Sequence, residues 1–410
     1  MFSDVEIQYF SCTHRAIDPS KTITNYEDKL KIAGITRVTD ITHLDRIGIH
    51  VFSAIRPTAQ SGGVSIYAGK GAKKEQAKAS AMMEGFERYS AEIQKSDEEN
   101  FKIATIDEIY DMDFIRPNDL ILSNEVKILD FEKENKLEWT LASDILTEKD
   151  YFIPSNSIFH PYVPRKKEGA IAIFKGNTNG LASGNVLEEA VLHGILEVIE
   201  RDAWSIFELT KTNKKEINIE TIDNSLINDL LQKFKKESVD IKLMDLTADV
   251  DIPTIAASAD DTILQDPALL SLGVGTHLNP EIAVLRALTE VAQSRATQIH
   301  GTREDTTRAT FMRKAGYIRM KKINKHYFES VSDDKMIDLN DIEDKSTQSL
   351  KTDIEIAINE LKRNKFDKIL FKDLTRKELG INVVRVVIPG MESYAIDPDR
   401  IGKRWLEFER

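Results

Sequence analysis

Glu75-Gln76-Ala77, followed seven residues on by Glu84-Gly85-Phe86-Glu87-Arg88, is the stretch that decides the fold, because the chain writes it three times. The second copy runs from Glu188-Glu189-Ala190 to Glu197-Val198-Ile199-Glu200-Arg201. The third runs from Glu281-Ile282-Ala283 to Glu290-Val291-Ala292-Gln293-Ser294-Arg295. With Ala77, Ala190 and Ala283 as a common origin, a glutamate stands two residues before and another seven after; Glu87, Glu200 or Gln293 stands ten after. Apolar residues recur every three or four positions through Ala77 to Ile93 and Leu187 to Phe207, the period of a helix with one buried face. Pro280 suits the first turn of the third helix. A spacing kept three times marks a repeated structural unit.

Each copy follows a glycine-rich stretch: Ser61-Gly62-Gly63 with Gly69-Lys70-Gly71, then Asn179-Gly180-Leu181-Ala182-Ser183-Gly184-Asn185, then Gly273-Val274-Gly275-Thr276. These read as loops running into helix starts. A second echo, Asp40-Ile41-Thr42, Asp245-Leu246-Thr247 and Asp373-Leu374-Thr375, borders the runs Ile47 to Ile55, Ile252 to Ser258 and Ile381 to Ile388. Those runs are rich in β-branched residues and bounded by Gly or Pro, so they read as strands. The expected fold is mixed α/β (α+β), with repeated strand and Glu-bearing helix units around a central site. One catalytic domain is expected over 1–410. Residues 1–96 hold the first unit, 97–165 an intervening segment, 166–310 the second and third Glu helices, and 311–410 a C-terminal subdomain and tail. Arg313 to Asn340 reads as a polar loop, and Thr352 to Asn364 as a helix before the last strand.

Residues three apart on a helix share a face, so Glu84 with Glu87 and Glu197 with Glu200 each point two carboxylates one way. If the three helices converge, Glu84, Glu87, Glu197, Glu200 and Glu290 form an acidic pocket that needs cations. Oxygen-only ligands suit Mg²⁺, which takes substrate phosphates as further ligands. Glycine loops at helix starts suit phosphate, because bare N–H groups and the helix dipole favour an anion there. Lys70, Arg88, Arg201, Arg286 and Arg295 are the candidates for charge on phosphate oxygens. No G-x4-G-K-[ST] motif is present, so the nucleotide site expected is of another kind. A lone Glu-x-x-Glu most often marks a solvated face; three copies in register behind glycines point to a site. His193, His277 and His300 share no repeat position and read as packing or surface residues.

The chain has 410 residues, 41% of them apolar, enough for a substantial core. Its net charge of −12 disfavours a general nucleic-acid or membrane-surface binder. Cys12 is the one cysteine. It rules out an intrachain disulfide, fits a reducing compartment, and reads as a small apolar residue rather than a nucleophile. Without a signal peptide or a run long enough to span a bilayer, a cytoplasmic location is expected.

At these residues the chain resembles the YcaO family of ATP-dependent peptide-modifying enzymes. The resemblance rests on Arg56-Pro57-Thr58, on Ser80-Ala81-Met82-Met83-Glu84-Gly85-Phe86-Glu87-Arg88-Tyr89, on the stretch from Asn179 through Glu189 to Arg201, and on Arg286 to Arg295. It implies ATP and Mg²⁺ as cofactors, with Glu84, Glu87, Glu189, Glu197, Glu200 and Glu290 holding metal. Ser183, Asn185 and Gln293 would lie near nucleotide or metal, Arg15 and Thr22 would contact phosphate, and Glu87, Glu200 and Arg201 would carry catalysis. Such enzymes phosphorylate a backbone amide oxygen while a nucleophile attacks the amide carbon.

The nucleophile defines the subclass: a side-chain thiol or hydroxyl gives an azoline, and a sulfide gives a thioamide. Azoline-forming relatives often end in a proline-rich tail, whereas this chain ends Asp397-Pro398-Asp399 through Glu409-Arg410. The stretch Val386-Val387-Ile388-Pro389-Gly390-Met391-Glu392 resembles the branch associated with TfuA-type partners and thioamide formation. In methanogenic archaea that branch is linked to thioglycine in methyl-coenzyme M reductase. The expected partners are a peptide or protein substrate, a TfuA-like protein or other sulfur donor, and a second copy in a homodimer. No leader-binding domain is expected before about residue 10. An azoline-forming cyclodehydratase and a non-catalytic nucleotide- or peptide-binding scaffold are the alternatives.

Overall fold

The computed structural model describes residues 2–10, 13–127, 135–212, 215–301 and 308–408, so Cys12 lies outside the described residues. In chain order the elements that build the site are α1 (Pro19–Tyr26), β1 (Arg37–Asp40), β2 (His50–Ile55), β3 (Ile66–Gly71) and α2 (Lys74–Ala91). After β4 (Leu137–Asp144) come β5 (Leu181–Gly184), α3 (Leu187–Thr210) and α4 (Ser225–Lys236). Then follow β6 (Val239–Asp245), β7 (Thr254–Asp261), β8 (Ser271–Thr276), α5 (Pro280–His300), α6 (Leu350–Arg363), β9 (Leu370–Asp373) and β10 (Asn382–Val387).

The repeat seen in the sequence is a three-stranded antiparallel meander followed by a helix. The first unit is β1-β2-β3 with α2, and the third is β6-β7-β8 with α5. The middle unit is assembled from two parts of the chain. Its order is β9-β10-β5 with α3, and Asn382 of β10 stands opposite Gly184 of β5. The three Asp-x-Thr echoes are one device used three times. Each aspartate ends the first strand of a unit, and its carboxylate accepts the N–H of the threonine two residues on, at 3.0, 2.9 and 2.8 Å. That Asx turn reverses the chain toward the second strand.

Much of each glycine-rich stretch is strand rather than loop. Gly69 and Gly71 lie in β3, Gly184 in β5, and Gly273 and Gly275 in β8, all beneath the helix that follows. A Cβ on Gly71 would stand 2.7 Å from Ala77 N, on Gly184 2.5 Å from Ala190 N, and on Gly275 2.3 Å from Ala283 O. Glycine on the strand and alanine at the repeat origin therefore let helix and sheet backbones touch. The repeated spacing encodes this packing, and the missing side chains make room for the helix.

The units close into a ring. Besides its own strands, α2 packs on β5 of the middle unit, α3 on β8 of the third, and α5 on β3 of the first. Three buried apolar clusters support them, centred on α2, on α3 with α6, and on α4 with α5. Burial on this scale is the chief driving force of folding. The segment expected as a polar loop instead forms short helices at Arg308–Ala315, Tyr317–Ile323 and Lys325–Phe328, whose buried Met320 and Tyr327 give them an inner face. Among the described residues no helix is long and apolar enough to cross a membrane.

Candidate active site

At the centre of the ring lies a cavity of about 300 Å³, walled by β3, β5, α2, α3, α5 and the N-terminal segment from Thr13. Ring closure is what brings the repeat residues together. The residue ten after each origin meets the third strand of the next unit: Glu87 accepts from Ser183 Oγ at 3.3 Å, Glu200 from Thr276 N at 2.9 Å, and Gln293 donates to Ala68 O. All six carboxylates named from the sequence, Glu84, Glu87, Glu189, Glu197, Glu200 and Glu290, line this one cavity. So do Arg15, Thr22, Lys70, Arg88, Ser183, Asn185, Arg201, Arg286 and Gln293.

The cavity is not simply acidic, as the glutamates alone suggest. Lys70 pairs with Glu290, Arg88 with Glu84 at 3.1 Å, and Arg15 with Glu189 at 3.1 Å. Arg201 and Arg286 stand 3.5 and 3.8 Å from Glu200. Six carboxylates thus face five cations. Asn185 ties two of the elements together, accepting from Thr22 Oγ1 at 3.0 Å and donating to Glu189 at 3.4 Å. Arg201 is held from its other side by Trp204, whose ring centre is 5.4 Å from the guanidinium. Trp204 in turn donates to Tyr327 Oη at 2.8 Å, and Tyr327 donates to Glu208 at 2.6 Å.

Burial dominates the proton affinities. It pushes the Glu87 carboxyl well above the ordinary range, with Arg88 opposing and Glu197 and Glu84 adding to the rise. Glu197 and Glu200 are raised by the same desolvation, against the pull of Arg201. Glu290 goes the other way. Burial works to raise it, but Lys70 and Arg201 bring it below its usual value. Carboxylates whose charge is opposed by burial gain from a divalent cation brought among them. Among the described residues no three of these groups converge on one point as a preformed metal cage; five of the six are held by a cation or donor of the protein, and Glu197 feels the nearby charge of Arg201 and Arg88. The donor set nonetheless fits Mg²⁺ with a polyphosphate: oxygen ligands for the metal, and guanidinium and ammonium groups for phosphate oxygens.

Arg295 is a correction. It is fully buried behind α5, where it donates to Asp45 at 2.8 Å and to Asp261 at 3.0 Å. Arg88 and Arg201 stand eleven residues after their origins and Arg295 twelve; one residue is about 100° around a helix, enough to turn it from cavity to core. His193 is corrected in the opposite sense, from packing residue to cavity wall. Burial, with Arg286, Arg15 and Lys70 nearby, drives its pKa well down and leaves it neutral. Its signal is in the sequence: Glu189, His193 and Glu197 are four apart on one face of α3. Gln76, Thr178 and Thr289 also line the cavity and carry no repeat signature.

Comparison with known proteins agrees with this geometry. Residues 68–392 match the family described as YcaO cyclodehydratase, ATP- and Mg²⁺-binding. The two cofactors expected from the carboxylates and cations are therefore those of the matching family. An uncharacterized protein of Methanothermobacter thermautotrophicus is 53% identical over 390 residues, 95% of this chain and 98% of its own. An uncharacterized protein encoded in the tfuA 3′ region of Rhizobium leguminosarum bv. trifolii is 30% identical over 387 residues, 92% of this chain and 88% of its own. Among solved structures, YcaO from Methanopyrus kandleri bound with AMPPCP and Mg²⁺ superposes with a TM-score of 0.78 at 27% identity, covering 97% of this chain and 98% of that one.

Proposed function

The chain belongs to the YcaO family, and from that membership and the charged ring we propose that it activates a peptide backbone amide by ATP-dependent O-phosphorylation, with a sulfur nucleophile giving a thioamide. The observation that carries the reading is the convergence of carboxylates from three helices with five cations on one cavity. ATP supplies the phosphoryl group that turns an amide oxygen into a leaving group, and Mg²⁺ supplies positive charge against its oxygens. Glu84, Glu87, Glu189, Glu197, Glu200 and Glu290 are the residues that would hold the metal. Lys70, Arg88, Arg201 and Arg286, now paired with those carboxylates, are the groups able to turn to phosphate. Charges fixed in place stabilise a developing negative charge without reorganising at the moment of reaction, which in most enzymes contributes more to rate than any other effect. His193, neutral and on the same face of α3, can offer a hydrogen bond at the cavity wall without adding charge.

The sulfur branch is favoured by the relative from a tfuA 3′ region and by the resemblance of Val386 to Glu392 to that branch. Methyl-coenzyme M reductase is the protein substrate this reading favours, supported by the relatives from Methanothermobacter and Methanopyrus. A TfuA-like protein or another sulfur donor, and a homodimeric state, complete it. The test is intact-mass spectrometry of a candidate glycine-containing peptide after incubation with Mg·ATP and sulfide, with phosphate release followed in parallel. A mass gain of sulfur minus oxygen with ATP consumed supports thioamidation. Loss of water moves the assignment to azoline formation. An unmodified peptide with no phosphate released, when a TfuA-like protein is also present, refutes both.

A further inference from the structure

The stretch Arg308 to Phe328 carries seven arginines and lysines and no acidic residue, in a chain of net charge −12. Its three short helices are pinned to the third unit: Arg313 pairs with Asp266 in the connection after β7, and Lys321 and Tyr317 with Asp260 in β7 itself. The outward side is unusual. A surface helix normally turns its apolar residues inward, yet Phe311, Ile318 and Ile323 are 71%, 81% and 55% exposed. Ile318 with Lys322, and Arg319 with Ile323, are four apart, so apolar and basic side chains share one outward face. Lys314, Arg319, Lys322 and Lys325 have no side-chain partner among the described residues. Between the two anchoring aspartates the turn after β7 adds Ile263 and Leu264, both exposed. Apolar side chains of this size, grouped and ringed by unpaired cations, describe an interaction surface rather than a solvated one.

We propose that this face docks an acidic segment of a protein partner that also carries apolar side chains. Charge complementarity selects the occupant. An extended polyanion or an anionic bilayer meets the field of the whole acidic molecule, whereas a short acidic segment meets only the basic patch, within a Debye length. The position is also connected to the cavity, since Tyr327 at the end of the stretch holds Trp204, which holds Arg201. The docking claim does not depend on the catalytic reading, because its test needs no turnover.

The probe is a short fluorescein-labelled peptide of glutamate with leucine and phenylalanine at helical spacing, titrated with the full chain and followed by anisotropy. Saturable binding is expected, weakened by roughly tenfold or more in K314E/K322E and, separately, in F311S/I318S. Both variants should keep the parent Tm and Mg·ATP affinity. The proposal is overturned by absence of binding, or by equal binding to parent and variants. It is also overturned if an RNA oligonucleotide or phosphatidylserine vesicles bind this face and the peptide does not. Self-association in sedimentation that the same substitutions abolish would assign the face to a second copy of the chain instead.

Discussion

Gly69→Ala tests whether the glycines exist for helix packing. The added Cβ would lie 2.0 Å from Ala81 N, 2.4 Å from Ala77 O and 2.6 Å from Ala81 Cα. These are main-chain atoms of α2, so no rotamer change relieves the clash. Restoring ordinary contact at 3.4 Å requires α2 to move by about 1.4 Å. That movement carries Glu84 and Glu87 together and breaks the 3.3 Å contact of Glu87 with Ser183. Overpacking of this kind costs about 1–3 kcal/mol, and a displacement of about 1 Å at a reacting centre costs on the order of 100-fold in rate. The assay is Mg·ATP turnover with peptide and sulfide, beside thermal unfolding. Gly169→Ala is the control, because its φ of +84° makes it strained while nothing lies within 4 Å of the new Cβ. Gly169→Ala should lower Tm and leave turnover alone; Gly69→Ala should lower both. A Gly69→Ala protein with parental Tm and turnover would refute the packing account of the repeat.

Glu200→Gln keeps an acceptor for Thr276 N but removes the charge beside Arg201 and Arg286, so turnover should fall on the order of 100- to 1000-fold while the circular dichroism spectrum is unchanged. Arg295→Met strands Asp45, while Asp261 keeps Arg46 at 2.8 Å, and should cost about 3 kcal/mol in urea unfolding, with unchanged Mg·ATP affinity below the transition; lost affinity at full stability would return Arg295 to the cavity. Arg404 clasps Asp202 at 3.0 Å and Asp249 at 2.8 Å, holding the residue next to Arg201, so Arg404→Ala should destabilise the fold and slow turnover, and Arg404→Lys should restore part of both. Burial, with Asp344 nearby, lifts the Asp353 carboxyl to about 6 against the Thr347 hydrogen bonds. An acid raised in the folded state favours folding below its unfolded pKa of about 4, and that contribution is lost as pH rises through 6. Asp353→Asn should therefore raise Tm above pH 6 and give no gain below about pH 4.

The helices and their carboxylates are legible in the sequence because a 3.6-residue period and a fixed spacing survive in one dimension. What glycine does is not. A missing Cβ admits an anion or a neighbouring backbone equally well, and only the strand assignment of Gly69, Gly184 and Gly275 decides between them. The cations of the cavity are visible as residue types, but their pairing with the glutamates depends on ring closure, which no local pattern encodes. Arg295 is displaced from the cavity by one residue of helical rotation, and His193 has no counterpart in the other copies to mark it. The echo Asp373-Leu374-Thr375 is plain in the sequence, yet the helix it belongs with, α3, lies far earlier in the chain. Polarity hides the helices of 308–328 because their apolar residues face outward as well as inward.

The divided middle unit has a consequence for when the protein acquires its chemistry. The first and third units are complete as soon as their helices are synthesised, but β5 and α3 must wait for β9 and β10. Until those strands arrive, the edge of β5 is bare and the helix bearing Glu197, Glu200 and Arg201 lacks the sheet of its own unit, with only β8 of the third unit to lean on. A nascent chain on the ribosome would thus hold most of the charged residues and none of the closed ring. Proteolytic loss of Leu370–Val387 would silence a molecule in which every cavity glutamate is intact. The ring therefore closes only in a chain that has passed β10.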